Sequence, residues 1–282
     1  MNSIVINSVS KSYGKVQALD HVSLNFEENK IYGLLGRNGA GKSTLLNIIS
    51  NRIFSDSGEI TINGESACEN DNAQRNLYLM SEETYYPETM KIKDIFKWSL
   101  NFYPDFDMNY AIDLARKFKL DLNKKVKGLS TGYSSIFKVI IALAVNAPYT
   151  LFDEPILGLD ANHRDLFYKV LLENYERKPK TIVISTHLIE EVANIIEDII
   201  IIKDGKILKN EPCEELLSKG YTISGKTSLV DSYMEDKNVI GQDTIGGLKS
   251  VYILGDVNKS SIPAELEVTR LDLQKLFIEL TN

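Results

Sequence analysis

The apolar positions in the first part of the chain predict strands on either side of a glycine-rich loop. Two β-rich runs cover residues 3–9 and 21–26, with a glycine-containing turn at residues 13–14 between them. The apolar run Ile31–Leu35 is typical of a buried strand, and it leads directly into the glycine-rich loop. Helical spacing follows over residues 43–52. This part of the chain is therefore predicted to form a strand, loop and helix unit.

The middle of the chain changes to a mostly helical pattern. Breaks at Pro104 and Gly128 divide this stretch, which predicts an inserted helical lobe over about residues 85–145. Strand patterns then return, with a helix between the first two of them. The predicted elements are strands 149–152 and 181–185, helix Ala161–Arg177 and strand Asp198–Lys203. Alternating strands and helices indicate an α/β core with a mainly parallel sheet, and the first strands form an antiparallel β edge.

The end of the chain reads as a small α+β extension over residues 221–282, after a short helix-like segment that begins at Pro212. Two roles are open for it at this point. It is either a regulatory or dimerisation element, or a stabilising cap on the core. Cutting the chain after Gly220 would distinguish the two.

Composition and charge exclude several classes of protein. Hydrophobic residues make up 43% and charged residues 25%, as in ordinary globular chains. The most apolar stretches, residues 139–145 and 195–202, are far shorter than the roughly 20 residues that cross a bilayer. The first residues lack the pattern of a secretory signal, so we expect a cytoplasmic protein. The net charge of -7 argues against nucleic acid as a partner.

The glycine-rich loop matches the phosphate-loop pattern G-x-x-x-x-G-K-[ST] at every defined position. Backbone N–H groups in such a loop converge on phosphate oxygens, and the following helix directs its positive end to the same anion. Lys42 is predicted to neutralise the β and γ phosphates of ATP, and Ser43 to contact Mg²⁺. A glycine-rich turn without function is the alternative. The candidate ATP-binding residues of this segment are Gly36, Arg37, Asn38, Gly39, Ala40, Gly41, Lys42, Ser43 and Thr44.

Two adjacent carboxylates end the apolar strand 149–152. Asp153 is expected to hold Mg²⁺, directly or through water, and Glu154 to act as general base on the attacking water. Alone, such a pair is more often a solvated turn. Its place downstream of a phosphate loop favours a second metal-binding element of a nucleotide-hydrolysing site.

Further motifs in the same order make the chain resemble the nucleotide-binding subunits of ABC transporters over roughly residues 4–206. In that family an aromatic ring upstream of the loop stacks on adenine, a position that Tyr13 occupies here with Val16 beside it. The resemblance also implies a switch histidine at His187, which contacts the γ-phosphate. The signature motif, usually LSGGQ, and the loop at the dimer seam correspond to Leu129, Ser130, Thr131, Gly132, Tyr133, Gly158, Leu159 and Asp160.

The resemblance implies a composite site, because in this family the signature contacts ATP that is held by a second subunit. Three departures from the family pattern qualify it. Thr131 and Tyr133 replace Gly and Gln of the signature, and a Cβ at residue 131 would weaken closure if that residue needed a positive φ. Glu82 stands where the family has a Mg²⁺-linking Gln, and a carboxylate can also bind Mg²⁺. Ile156 and Leu157 replace small hydroxyl residues.

The sequence is accordingly interpreted as an ABC domain over residues 1–210 with a P-loop NTPase core. ATP and Mg²⁺ are the expected cofactors, and the expected partners are separate membrane permease subunits and a second nucleotide-binding subunit. Through the permease, the protein would lie on the inner face of the cell membrane. Tyr85, Tyr86, Pro87 and Trp98 either dock a membrane-domain helix or pack inside the lobe.

The direction of transport and one other function class remain as alternatives. The Glu82 replacement and the C-terminal segment resemble the bacterial antibiotic and peptide export branch, which favours export over uptake. A soluble ABC ATPase of a non-transport system, such as iron–sulfur cluster assembly, is the alternative function. Association with a membrane protein on purification would discriminate between them.

Overall fold

The computed structural model describes residues 2–234, 239–255 and 262–282. An antiparallel sheet forms from the first strands of the chain. It contains β1 (Ser3–Tyr13), β2 (Val16–Glu27), β4 (Ser57–Ile62) and β5 (Glu65–Ser66), in the order β2-β1-β4-β5. β1 and β2 are longer than predicted because register shifts carry the pairing past Val9. The expected antiparallel edge is confirmed.

The central sheet is mainly parallel, as predicted. Its strands are β3 (Ile31–Leu35), β6 (Leu77–Met80), β7 (Tyr149–Asp153), β8 (Thr181–Thr186), β9 (Asp198–Lys203) and β10 (Lys206–Pro212), in the order β10-β9-β3-β8-β7-β6. Only the β9–β10 pair is antiparallel. β3, β7 and β8 are buried at every residue, as expected for parallel strands covered on both faces.

The two faces of this sheet feed two different hydrophobic cores, because successive side chains of a strand point to opposite sides. On β3, Ile31 and Leu35 belong to one core, whereas Tyr32 and Leu34 belong to the other. The second core also contains the N-terminal sheet and α1 (Lys42–Ile49). The first contains the helical lobe. The central sheet therefore separates the β edge and α1 from the helical lobe.

The inserted lobe is helical, as predicted. It contains α3 (Ile92–Phe102), α4 (Met108–Lys117) and α5 (Thr131–Ala144), after the short α2 (Asp71–Gln74). Asp107 caps α4 by accepting a hydrogen bond from the backbone N–H of Tyr110. α6 (Ala161–Arg177) then packs beside α5, and the one-turn helix α7 (Ile189–Val192) follows β8. No helix among the described residues has the length and apolar character needed to span a membrane.

The C-terminal part is α+β, and one side of its sheet joins the core that contains the helical lobe. Its elements are α8 (Cys213–Ser218), β11 (Gly220–Lys226), α9 (Thr227–Met234), β12 (Val239–Ile245), β13 (Leu248–Leu254), β14 (Glu267–Arg270) and α10 (Leu273–Thr281). The strands form an antiparallel sheet in the order β12-β13-β11-β14. α9 covers one face of it with Val230 and Met234. Tyr252 and Phe277 belong instead to the core that contains the helical lobe.

Candidate functional site

The phosphate loop connects β3 to α1 and lies against the start of β2. Gly41 has a φ of 110°, and a Cβ at this position would lie 2.5 Å from the carbonyl oxygen of Ala18. A side chain is therefore excluded both by conformation and by space. The glycine lets the chain turn sharply, so that the first backbone N–H groups of α1 face the loop. N–H groups at the start of a helix suit an anion such as phosphate.

Lys42 is buried inside this loop, with 6% of its side chain exposed. Its Nζ donates a hydrogen bond to the carbonyl oxygen of Gly36 at 2.7 Å and lies 3.9 Å from Oε1 of Glu154. Burial lowers the pKa of Lys42, and the carboxylates of Glu154 and Asp153 act in the opposite direction. The ammonium and the carboxylate pair, which are far apart in the sequence, thus share one site.

Glu154 is held from three directions at the end of β7. Its Oε1 lies 2.8 Å from Nδ1 of His187, and its Oε2 accepts a hydrogen bond from the hydroxyl of Thr186 at 3.1 Å. Its backbone N–H donates to the carbonyl of Ser185 at 2.9 Å. The φ of Glu154 is 49°, a left-handed conformation that costs of the order of 1–3 kcal/mol in a non-glycine residue. The backbone and β8 together fix the direction of this carboxylate.

Asp153 lies deeper than Glu154. It is buried, and its Oδ1 accepts a hydrogen bond from the hydroxyl of Ser185 at 2.8 Å. Carboxylate and hydroxyl oxygens are the ligands that Mg²⁺ takes, usually one or two from the protein together with substrate phosphates. Asp153, Ser43 and Glu82 supply this chemistry around the phosphate loop, so the residues present fit a magnesium nucleotide.

One cavity of about 470 Å³ brings most of the predicted nucleotide residues together. This volume lies in the range of small-molecule sites. Tyr13 is half exposed at its edge. The lining residues are Tyr13, Ala18, Asn38, Gly39, Ala40, Gly41, Lys42, Ser43, Thr44, Glu82, Glu154, Leu157 and His187. Val16, Gly36, Arg37 and Asp153 are not part of this lining. Val16 is exposed, and Arg37 lines a neighbouring hollow with Lys203 and Thr281.

The signature residues lie outside that cavity, at the start of α5. Ser130 caps the helix by accepting a hydrogen bond from the backbone N–H of Tyr133 at 3.4 Å. A Cβ on Gly132 would lie only 2.6 Å from the carbonyl oxygen of Gly158. Thr131 has no positive φ, so its Cβ introduces no strain of the kind considered from the sequence. Its methyl group instead packs beside Gly158.

The predicted seam loop is fastened to both α5 and α6. Ser135 donates a hydrogen bond from its hydroxyl to the carbonyl of Leu157 at 2.9 Å. Leu159 is buried, and Asp160 caps α6 by accepting from the backbone N–H of His163 at 2.9 Å. Hydrogen bonds from the backbone and ring of His163 lower the pKa of Asp160. The signature and the seam loop therefore form one packed unit within the chain.

Ser185, Thr186 and Ser135 each contact a predicted site residue, although no motif in the sequence gives them a role. A signal for the first two was present. They are polar residues at the carboxyl end of an apolar run that must be buried, and a buried hydroxyl needs a partner. Ser135 gave no comparable signal, because serine in an amphipathic helix is ordinary.

A phosphate loop after a central parallel strand, with a carboxylate pair two strands away and a helical insertion, defines a P-loop ATPase cassette. The family model described as ABC transporter matches residues 19–157. A Bacillus subtilis relative, the petrobactin import ATP-binding protein YclP, is 31% identical over 223 residues, which are 76% of this chain and 88% of the relative. The chain belongs to the ABC transporter ATP-binding family, and it is an ABC ATPase.

Two further comparisons agree with this family. The ABC transporter ATP-binding protein YtrB of Bacillus subtilis is 28% identical over 266 residues, covering 94% of this chain and 91% of its own length. Among solved structures, the dimeric post-hydrolysis state of the ATP-binding cassette MJ0796, bound to ADP and Pi, matches with a TM-score of 0.67. It is 26% identical and covers 74% of this chain and 98% of its own.

Proposed function

We propose that this chain hydrolyses ATP to ADP and phosphate to drive transport through separate membrane permease subunits, from the cytoplasmic face of the membrane. The observation that carries the proposal is the arrangement of Lys42, Glu154 and His187. Lys42 Nζ lies 3.9 Å from Oε1 of Glu154, and the same carboxylate oxygen lies 2.8 Å from His187. The three side chains border the cavity of the phosphate loop. This arrangement supports roles for the three residues as a cation, a base and an orienting group at the γ-phosphate.

In this proposal each residue has a separate task. Tyr13 stacks on adenine, and Lys42 and the loop N–H groups neutralise the phosphates. Glu154 takes the proton of the attacking water, and His187 keeps the carboxylate in place and contacts the γ-phosphate. Ser43, Asp153 and Glu82 would hold Mg²⁺, which would supply positive charge to neutralise the phosphate oxygens.

The second half of the site is proposed to come from another nucleotide-binding subunit. Ser130 and Gly132 begin a helix whose free N–H groups suit a phosphate anion, yet they do not line the cavity of their own chain. The relative MJ0796 has been solved as a dimer. A homodimer or heterodimer would let the signature of one subunit reach ATP on the phosphate loop of the other.

The membrane partner is proposed to dock at a cleft of about 410 Å³ between the central sheet and the helical lobe. Tyr85, Trp98 and Phe102 line it and are exposed. Tyr86 behaves differently from these three: its ring packs edge-on against Phe137 at 5.1 Å, and its hydroxyl shares a hydrogen bond with Tyr78 at 2.9 Å. Pro87 does not line the cleft. We therefore assign docking to Tyr85 and Trp98, and internal packing to Tyr86.

The direction of transport rests on the sequence resemblance, from which we propose export of a peptide, antibiotic or other amphipathic compound. Glu82 at the position of the family's Gln is its support. The name of the relative YclP refers to import. Uptake of a labelled compound into inside-out vesicles that contain the co-purified membrane protein would support export, and uptake into right-side-out vesicles would contradict it.

The docking assignment has a test with a matched pair of variants. Tyr85→Ala should leave ATP binding and the melting temperature unchanged but reduce stimulation of ATPase activity by the co-purified membrane protein. Tyr86→Ala should lower stability by roughly 2–4 kcal/mol, because it removes a packed ring and leaves the Tyr78 hydroxyl without its partner. Equal coupling in the wild type and the Tyr85 variant would contradict docking at this cleft.

A further inference from the structure

Lys138 is a buried cation that the proposed mechanism does not use. It lies on α5, eight residues or about 12 Å of helix beyond Ser130, and only 6% of it is exposed. Its Nζ donates a hydrogen bond to the carbonyl oxygen of Ser81 at 3.0 Å and another to the carbonyl oxygen of Glu82. The side chain thus joins the signature helix to the segment that carries Glu82.

A lysine is a costly residue at this position. Its neighbours Phe137 and Val139 are buried apolar side chains, and an ammonium taken out of water destabilises the fold unless its hydrogen bonds are satisfied. An apolar side chain could fill the space without that cost. The two backbone carbonyls give the ammonium a geometric task, because three donors on one nitrogen can hold two adjacent carbonyls at once.

The position of Lys138 lies between two openings of the molecule. On one side it lines the docking cleft together with Ser81 and Trp98. On the other side it lines a hollow of about 360 Å³ together with Glu82 and Thr131. A change at either opening that moved the Ser81–Glu82 backbone would therefore act directly on this side chain.

A second contact joins the same two segments. The hydroxyls of Thr84 and Ser134 lie 3.4 Å apart, one helical turn from Lys138. Glu82 also lines the nucleotide cavity, which places one end of this connection at the ATP site. The other end is α5, whose first turn carries the signature.

We propose that Lys138 is a positioning residue that clamps the backbone of Ser81 and Glu82 to α5, so that nucleotide binding at Glu82 shifts the signature helix and the docking cleft together. This rests on the proposed function only in that Glu82 responds to bound Mg²⁺ and nucleotide. Lys138 touches no reacting atom. Its expected effect is on how far nucleotide binding moves the signature helix and the docking cleft. The test must therefore measure this response separately from the binding of the nucleotide.

The only tryptophan of the chain makes that separation possible. Trp98 lines the docking cleft with Lys138 and packs edge-on against Phe102 at 5.2 Å, so its fluorescence reports on the cleft. The full chain is titrated with Mg²⁺ and the non-hydrolysable analogue AMP-PNP. Analogue binding is measured by equilibrium dialysis, and the Trp98 emission is measured in parallel.

The variants are Lys138→Met, which keeps the length and removes the donors, and Lys138→Arg, which keeps donors. Lys138→Met should bind the analogue within about 3-fold of wild type, but its Trp98 response should fall at least 5-fold. Lys138→Arg should keep most of the response. Lys127→Met is the control, because Lys127 is an exposed lysine lining the same hollow as Lys138, and it should change neither quantity.

An unchanged Trp98 response in Lys138→Met would overturn the proposal, and so would a wild type that binds the analogue without any response. If Lys138→Met does not fold, Lys138→Gln decides: the proposal requires a response at least 2-fold smaller than wild type, and an unchanged one overturns it. Failure of the wild type to bind AMP-PNP would contradict the proposed function instead. The two failures are therefore distinguishable.

Discussion

The two halves of the proposed composite site are built in opposite ways. Lys42 and Asp153 are buried, and Glu154 is held by residues of the neighbouring strand β8. Ser130 and Thr131, by contrast, are exposed at the first turn of a helix. Groups that perform chemistry gain from being fixed in advance. Groups that must meet a second subunit have to lie at the surface. Their positions are held by packing of their backbone against the seam loop.

The largest expected effect concerns the buried half. Glu154→Gln keeps the size and the backbone conformation but removes the proton acceptor, so the turnover number should fall about 10²–10⁴-fold while ATP binding is retained. Phosphate release and nucleotide binding are measured on the same preparation. Glu190→Gln, an exposed carboxylate on α7, is the control and should be neutral. Near-normal turnover of Glu154→Gln would remove Glu154 as the base.

The next largest effect is expected in the core that packs near the buried half of the site. Phe277 on α10 is buried in the core that contains the helical lobe, and α10 contacts α7 just beyond His187. Phe277→Ala should lower the free energy of unfolding by about 3–5 kcal/mol, as other buried Phe truncations do. Ile278→Ala, at an exposed position of the same helix, should cost much less.

This pair also bears on the role of the C-terminal extension, for which we propose a stabilising cap. The melting temperatures of both variants are measured by thermal unfolding with and without ATP. If Phe277→Ala leaves the melting temperature unchanged but alters ATP-dependent dimerisation, the regulatory alternative for residues 221–282 is favoured instead.

A smaller effect is expected at the exposed half. Gly132→Ala places a Cβ 2.6 Å from the Gly158 carbonyl oxygen, which forces the signature and the seam loop apart and costs about 1–3 kcal/mol. ATP-dependent dimerisation, measured by sizing, should weaken about 10-fold or more, whereas ATP binding to the monomer should not change. Gly128→Ala is the matched control, since a Cβ there meets no atom within 4 Å. Equal dimerisation of the two variants would contradict the packed-unit interpretation.

The smallest effect is expected for Thr131→Gly, which restores the family's residue. Because Thr131 has no positive φ and its methyl group lies beside Gly158, the change should lower stability by about 0.5–1 kcal/mol and leave turnover within roughly 3-fold. Denaturant unfolding and steady-state kinetics measure both. A gain of 10-fold or more in turnover would mean that Thr131 hinders closure after all.

The periodic pattern of apolar residues was sufficient to predict much of the fold. The segments Ile31–Leu35, Ala161–Arg177 and Asp198–Lys203 form the predicted elements with the predicted bounds. Buried parallel strands and an amphipathic helix leave strong periodic signals. β6 and β10 were not predicted, because the first is four residues long and the second pairs antiparallel at the edge of the sheet.

What the sequence determined by itself was the phosphate loop and the type of chemistry. The loop is contiguous, so the spacing of Gly36, Gly41 and Lys42 carries its geometry. Only the tertiary structure decided which distant groups meet. The order β3-β8-β7 of the sheet brings Lys42, His187 and Glu154 together, and packing brings Gly132 to Gly158 and Lys138 to Ser81. Such contacts depend on strand order and helix packing, which no local pattern of residues encodes.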